Sequence, residues 1–125
     1  MGAGVPALAA TFLLVPLCGM LPETRNANST FTAKDVGYEL GHTDSSNYTW
    51  TIDAFANAPI RAGAKIAGFN SSTGTLTIVA PSGGSLIHLD GTTGTGNRTV
   101  GANSYFVLHK LDGANGWGII GTALS

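Results

Sequence analysis

The chain has little of what disulfide, metal, phosphate or acid–base chemistry requires. Its one cysteine, Cys18, excludes an intrachain disulfide and a zinc site built on cysteines. Charged residues make up 10% of the 125, against about 25% in ordinary soluble domains. Six Lys and Arg face seven Asp and Glu, and the basic side chains are scattered as Arg25, Lys34, Arg61, Lys65, Arg98 and Lys110. No basic stripe is available to displace counterions from phosphates, so no nucleic-acid partner is expected. No long apolar pattern of helical period runs between residues 30 and 125 either, which argues against a helical body.

What the chain does have is Thr, Ser, Asn and 18 glycines around an apolar content of 43%. At this length one core is expected, and hence one domain. A surface of neutral hydroxyls and amides repels copies of itself weakly, and it brings few charges that burial would have to pair. Assembly with copies or partners is the expected consequence.

From Ser29 onward short alternating runs are separated by clusters of Gly, Ser, Asn and Asp. Such runs place apolar side chains on one face of a strand and Thr or Ser on the other. Asn47-Tyr-Thr-Trp-Thr-Ile52 puts Tyr48, Trp50 and Ile52 on one face. Residues 64–69 and 75–80 read as a hairpin with a longer loop, contributing Ile66, Leu76 and Ile78. Residues 104–110 and 116–121 form a closing hairpin with Phe106, Leu108, Trp117 and Ile119 inside; Asp112-Gly113 and Asn115-Gly116 favour the positive φ its turn needs. These ten residues are the expected core. Residues 91–96 are too poor in apolar groups for the core and read as an exposed, mobile loop. The expected fold is all-β: a small antiparallel β-sandwich or jelly-roll-like domain over residues 29–125, behind an extended apolar arm over residues 1–28.

The arm carries no charge through residue 21. No Lys or Arg precedes Leu13-Leu14-Val15, so a cleaved signal peptide is not expected. Pro6, Pro16, Gly4 and Gly19 each weaken a spanning helix and no basic residue marks a cytoplasmic edge, so a membrane partner is not expected. The arm reads instead as an attachment device whose contacts would be Val5, Leu8, Phe12, Leu13, Leu14, Val15, Leu17 and Met20, stabilised by roughly 25 cal/mol per Å² removed from water. The alternative is a first strand with an apolar lead-in to the domain's own core.

Catalytic equipment is missing. His42, His88 and His109 lack the close spacing of a metal motif, and His88 and His109 fall within strands, where a half-exposed position on a sheet face is expected. Asp53 and Asp90, with Ser85 or Ser104, form no ordered nucleophile set. Four Asn-x-Ser/Thr triplets, beginning at Asn28, Asn47, Asn70 and Asn97, are expected by chance in such a composition. Gly94-Thr-Gly96 lacks the strand-to-helix context of a phosphate cradle. No enzyme activity, cofactor or metal is expected.

Four segments in order carry a resemblance: Phe31-Thr-Ala-Lys-Asp-Val-Gly-Tyr-Glu-Leu40, Thr49-Trp-Thr-Ile-Asp-Ala54, Ile60-Arg-Ala-Gly-Ala-Lys-Ile66 and Trp117-Gly-Ile-Ile-Gly-Thr-Ala-Leu-Ser125, with Gly74-Thr-Leu-Thr-Ile78 between the last two. Together they resemble a β-sandwich module of tailed-bacteriophage virion proteins, of the capsid decoration or cement, head-fibre and tail-fibre types. The resemblance covers roughly the last hundred residues and implies a structural, non-enzymatic role in the virion, as a dimer or trimer. Read as a free-standing chain, a decoration protein on the capsid surface is expected, with the major capsid protein as partner. A tail-fibre or head-fibre module binding the host surface, through loops such as residues 91–96, is the alternative.

Overall fold

The computed structural model describes residues 20–91, 93–113 and 115–125. Its ten strands are β1 (Leu21–Thr24), β2 (Ser29–Phe31), β3 (Tyr38–His42), β4 (Tyr48–Ile52), β5 (Lys65–Asn70), β6 (Leu76–Val79), β7 (Ser85–His88), β8 (Arg98–Val100), β9 (Ser104–Lys110) and β10 (Gly116–Gly121). They build a six-stranded sheet in the order β1-β3-β5-β9-β10-β7 and a four-stranded sheet in the order β2-β4-β6-β8. The two sheets pack face to face, so the all-β sandwich expected from alternation is the fold.

Strand direction departs from the expected antiparallel pattern. β1, β3 and β5 are mutually parallel, as are β2, β4 and β6, while β5, β9 and β10 pair antiparallel, as do β6 and β8; β10 meets β7 in parallel. The first six strands therefore wind as coils, each crossing from the larger sheet to the smaller through a short arch over residues 25–28, 43–47 or 71–75. Consequently β5 and β6, expected to be a hairpin, lie in different sheets. Alternation fixes which face a side chain takes, but a five-residue turn between two such runs serves a hairpin and an arch equally well. The closing hairpin is as expected: β9 and β10 pair antiparallel, and Gly113 has φ 90°.

Asparagines hold the coils in register. Asn28 Oδ1 accepts from Thr49 N at 2.9 Å and Asn47 Oδ1 from Thr75 N at 2.8 Å, each side chain reaching the residue beside it on the next coil. Asn26 does the same to Thr43 N at 2.8 Å. Backbone donors at the mouths of the arches, where ladder bonding stops, are satisfied in this way.

Between the sheets lie Trp50, Ile52, Ile66, Leu76, Ile78, Phe106, Leu108, Trp117 and Ile119, all buried as expected. Tyr48 is half-buried and packs against them, its hydroxyl donating to Asp44 Oδ2 at 2.7 Å. The core also takes Phe31, Leu40, Ile60, Leu86 and Val100. Phe31 meets Trp50 edge to face at 6.1 Å. Part of the segment that composition assigned to the arm, Leu21–Thr24, is a strand of the domain, paired with β3.

Candidate interaction surfaces

Of the expected arm contacts, Val5, Leu8, Phe12, Leu13, Leu14, Val15 and Leu17 lie outside the described residues; Met20 is half-buried just before β1. The strands themselves present three surfaces: the outer faces of both sheets and a cleft at one end of the larger sheet.

The outer face of the six-stranded sheet is apolar. Register places Ala67, Val107, Ile120 and Leu89 side by side across β5, β9, β10 and the residue after β7. On one flank lie Phe69 and Tyr105, and on the other Ile87 beside Gly118. Tyr105, Ile120, Ile87 and Leu89 are among the exposed large apolar side chains. Glu39 and Lys65 border this face, and His109 sits within it, its pKa lowered first by burial and then by Lys65. His88 and His109 are both half-buried strand residues, in agreement with the sequence reading.

The outer face of the four-stranded sheet is hydroxylic. Thr49, Thr77 and Thr99 form one row, and Thr30 and Thr51 the next, which Val79 continues. Within the segment 91–96, expected to be an exposed, mobile loop, residues 94–96 are tied to β7: His88 N donates to Gly94 O at 3.0 Å and Gly96 N to Leu86 O at 2.9 Å, extending the sheet beyond β7. Glycine-rich composition hid this pairing, because backbone hydrogen bonding needs no apolar side chain.

At one end of the larger sheet, Phe69, Asn70, Ser71, Asn103, Ser104 and Tyr105 line a shallow cleft of about 220 Å³. Phe69 and Tyr105 are directly paired across β5 and β9. Asn103 precedes β9 with φ 54°, a left-handed conformation that asparagine tolerates better than most residues.

One cluster that the sequence did not suggest brings serine, histidine and aspartate together. His42, fully buried, has Nε2 2.8 Å from Ser46 O, 3.4 Å from Ser72 Oγ and 3.7 Å from Asp44 Oδ1. A relay needs the base and its orienting carboxylate on opposite ring nitrogens. Here all three partners crowd one nitrogen, and Nδ1 is buried without a partner among the described residues. Ser72 Oγ donates instead to Asn70 Oδ1 at 2.8 Å, so the group serves the arches. Asp53 Oδ1 accepts from Ala54 N and Asn57 Nδ2, Asp90 pairs with buried Arg98 at 3.2 Å, and Ser104 Oγ donates to Ala102 O. Among the described residues no three His, Cys, Asp or Glu side chains gather as a metal site, and no helix is long and apolar enough to cross a membrane.

No family model, no curated protein and no solved structure matches the chain.

Proposed function

We propose that this chain is a structural, non-enzymatic protein of a tailed-bacteriophage virion, a decoration or cement protein that binds the assembled head and stabilises it. The observation that carries the reading is the outer face of the six-stranded sheet, where Val107, Ile120, Leu89 and Ile87 form a continuous apolar surface with no partner among the described residues. Such a face on a chain so low in charge is suited to docking on the major capsid protein and on further copies of itself, as a dimer or trimer at the capsid surface. Binding only the assembled lattice shifts its equilibrium toward the intact state. The ordered β segments that resemble virion modules support the same reading, and the uncharged arm before β1 would add a second attachment point.

The test is co-sedimentation of the purified chain with assembled heads, followed by the heat resistance of the loaded particles. Wild-type chain is expected to sediment with heads and raise their disruption temperature; an Ile87→Asp/Ile120→Asp double variant, altered only at exposed positions, is expected to do neither. Equal binding by the two would reject the docking face.

The parallel coils favour a second reading, a head-fibre or tail-fibre module, since stacked coils with short arches suit an elongated assembly. Copy number separates the two, with hundreds per particle expected for a decoration protein and a few at a vertex or tail for a fibre.

A further inference from the structure

We propose that the cleft between the ends of β5 and β9 binds a neutral saccharide, with Tyr105 as the stacking ring, Phe69 as an apolar wall and Asn103 and Ser71 reading hydroxyls. None of the six lining residues is charged, so the site offers nothing to a phosphate, sulfate or carboxylate. It offers instead the two chemistries that a pyranose presents together. One side of a pyranose ring is a patch of C–H groups, which packs against the negative face of an aromatic ring; the rim is hydroxyls, which need donors and acceptors.

The aromatic part is arranged for such a ligand. Tyr105 is 54% exposed, more than any other large apolar side chain among the described residues. Its cross-strand neighbour Phe69 leans over Gly41 of β3, where a Cβ would stand 2.5 Å from Phe69 Cζ. Glycine at that position lets the ring settle across the sheet instead of standing up from it. Phe69 thus lies low toward β3, and Tyr105, on the β9 side of β5, is the ring left standing open to a ligand.

The polar part is divided by what each side chain already does. Asn70 is fully engaged: its Nδ2 donates to Gly74 O and Val100 O, and its Oδ1 accepts from Ser72 N and Ser72 Oγ. Ser104 Oγ donates to Ala102 O. Asn103 and Ser71, both exposed, carry no side-chain hydrogen bond within the described residues and can turn to a ligand. A cleft of about 220 Å³ holds one sugar unit. Single-site binding is therefore weak, in the region of 1 mM, and gains strength through repetition on an oligomer.

This inference stands apart from head docking, because the cleft lies at the far flank of the face from Ile87; it would also supply the surface contact of the fibre reading. The experiment is amide chemical-shift mapping of the full-length chain titrated with a panel of neutral glucosides, galactosides, mannosides and N-acetylhexosaminides, beside a sialylated and a sulfated control. At least one neutral sugar is expected to shift Ser71, Asn103 and Tyr105 saturably. Tyr105→Ala and Asn103→Gly are expected to weaken it tenfold or more with unchanged melting temperature, and Ile87→Asp to leave it intact. No saturable shift with any neutral sugar overturns the proposal, as do shifts centred on residues 91–96, a preference for the charged controls, or full binding by Tyr105→Ala.

Discussion

Asn70 is wholly buried, yet all four of its amide hydrogen-bonding positions are filled, two by carbonyls and two by Ser72. Its bonds tie the β5–β6 arch to itself and to β8, a long-range lock made by a neutral residue. Asn70→Ala leaves two carbonyls and an N–H to find other partners in a dry place, and a loss of about 3 kcal/mol is expected from urea denaturation. Trp117, 2% exposed, is a packing case; Trp117→Ala is expected to cost about 3 to 5 kcal/mol in the same assay. Two residues with shifted pKa values contribute to the acid response. The folded-state pKa of His109 lies below its usual value through burial and Lys65, so its contribution is present above about pH 6.5 and is lost as pH falls through the lower folded value. Asp44 is lowered chiefly by the Tyr48 hydroxyl, so its contribution disappears in a further, more acidic window. The melting temperature is therefore expected to fall in two stages on acidification, with His109→Gln flattening the upper stage and Tyr48→Phe the lower. A profile unchanged by either substitution would reject these assignments.

Elements were legible where side chains alternate and illegible where only the backbone decides. Tyr48–Ile52 and the closing hairpin could be read because β-branched and aromatic residues alternate and Asp-Gly marks the turn. β1 could not, since an edge strand exposed on all four residues has no alternation to show. The parallel coils escaped for another reason: alternation is blind to strand direction, and the asparagines that mark the coils look like ordinary turn residues. The cleft escaped with them. Phe69 and Tyr105 each fall in a recognisable run, but only the β5–β9 pairing, distant in sequence, makes them neighbours. If Asn28 and Asn47 are coil ties and not merely turn formers, removing either should weaken one coil junction. Asn28→Ala and Asn47→Ala are each expected to cost about 1 kcal/mol, a neutral hydrogen bond at an exposed site. The double variant is expected to cost about their sum, because the two bonds join different pairs of coils. A cost near zero for both would assign register to the core alone.

At the scale of the whole molecule, the sheet edges are treated unequally. Beyond β8 the backbone of Ala123 and Ser125 pairs with Gly101 and Thr99, and beyond β7 lie residues 94–96. At the other end β1 and β2 have one strand neighbour each among the described residues. Both edges are poor templates for a further strand. β2 is three residues long, and Leu21 of β1 and Arg25 just after it donate toward β3, so Pro22, with no N–H to offer, falls on the side away from β3. Any association is therefore expected at the apolar face of the larger sheet and not along these edges. Six strands about 4.8 Å apart and about 17 Å long give a face of roughly 500 Å². A stable dimer buries about 800 Å² per partner. Self-association through this face alone is therefore expected to be weak and concentration-dependent, and to need a second contact surface to become firm. Analytical ultracentrifugation across a hundredfold range of concentration is expected to show a monomer–oligomer equilibrium that Ile120→Asp, at an exposed site, shifts fully to monomer. Concentration-independent monomer for the wild type would leave the face to a different protein, and an oligomer indifferent to Ile120→Asp would place the contact elsewhere.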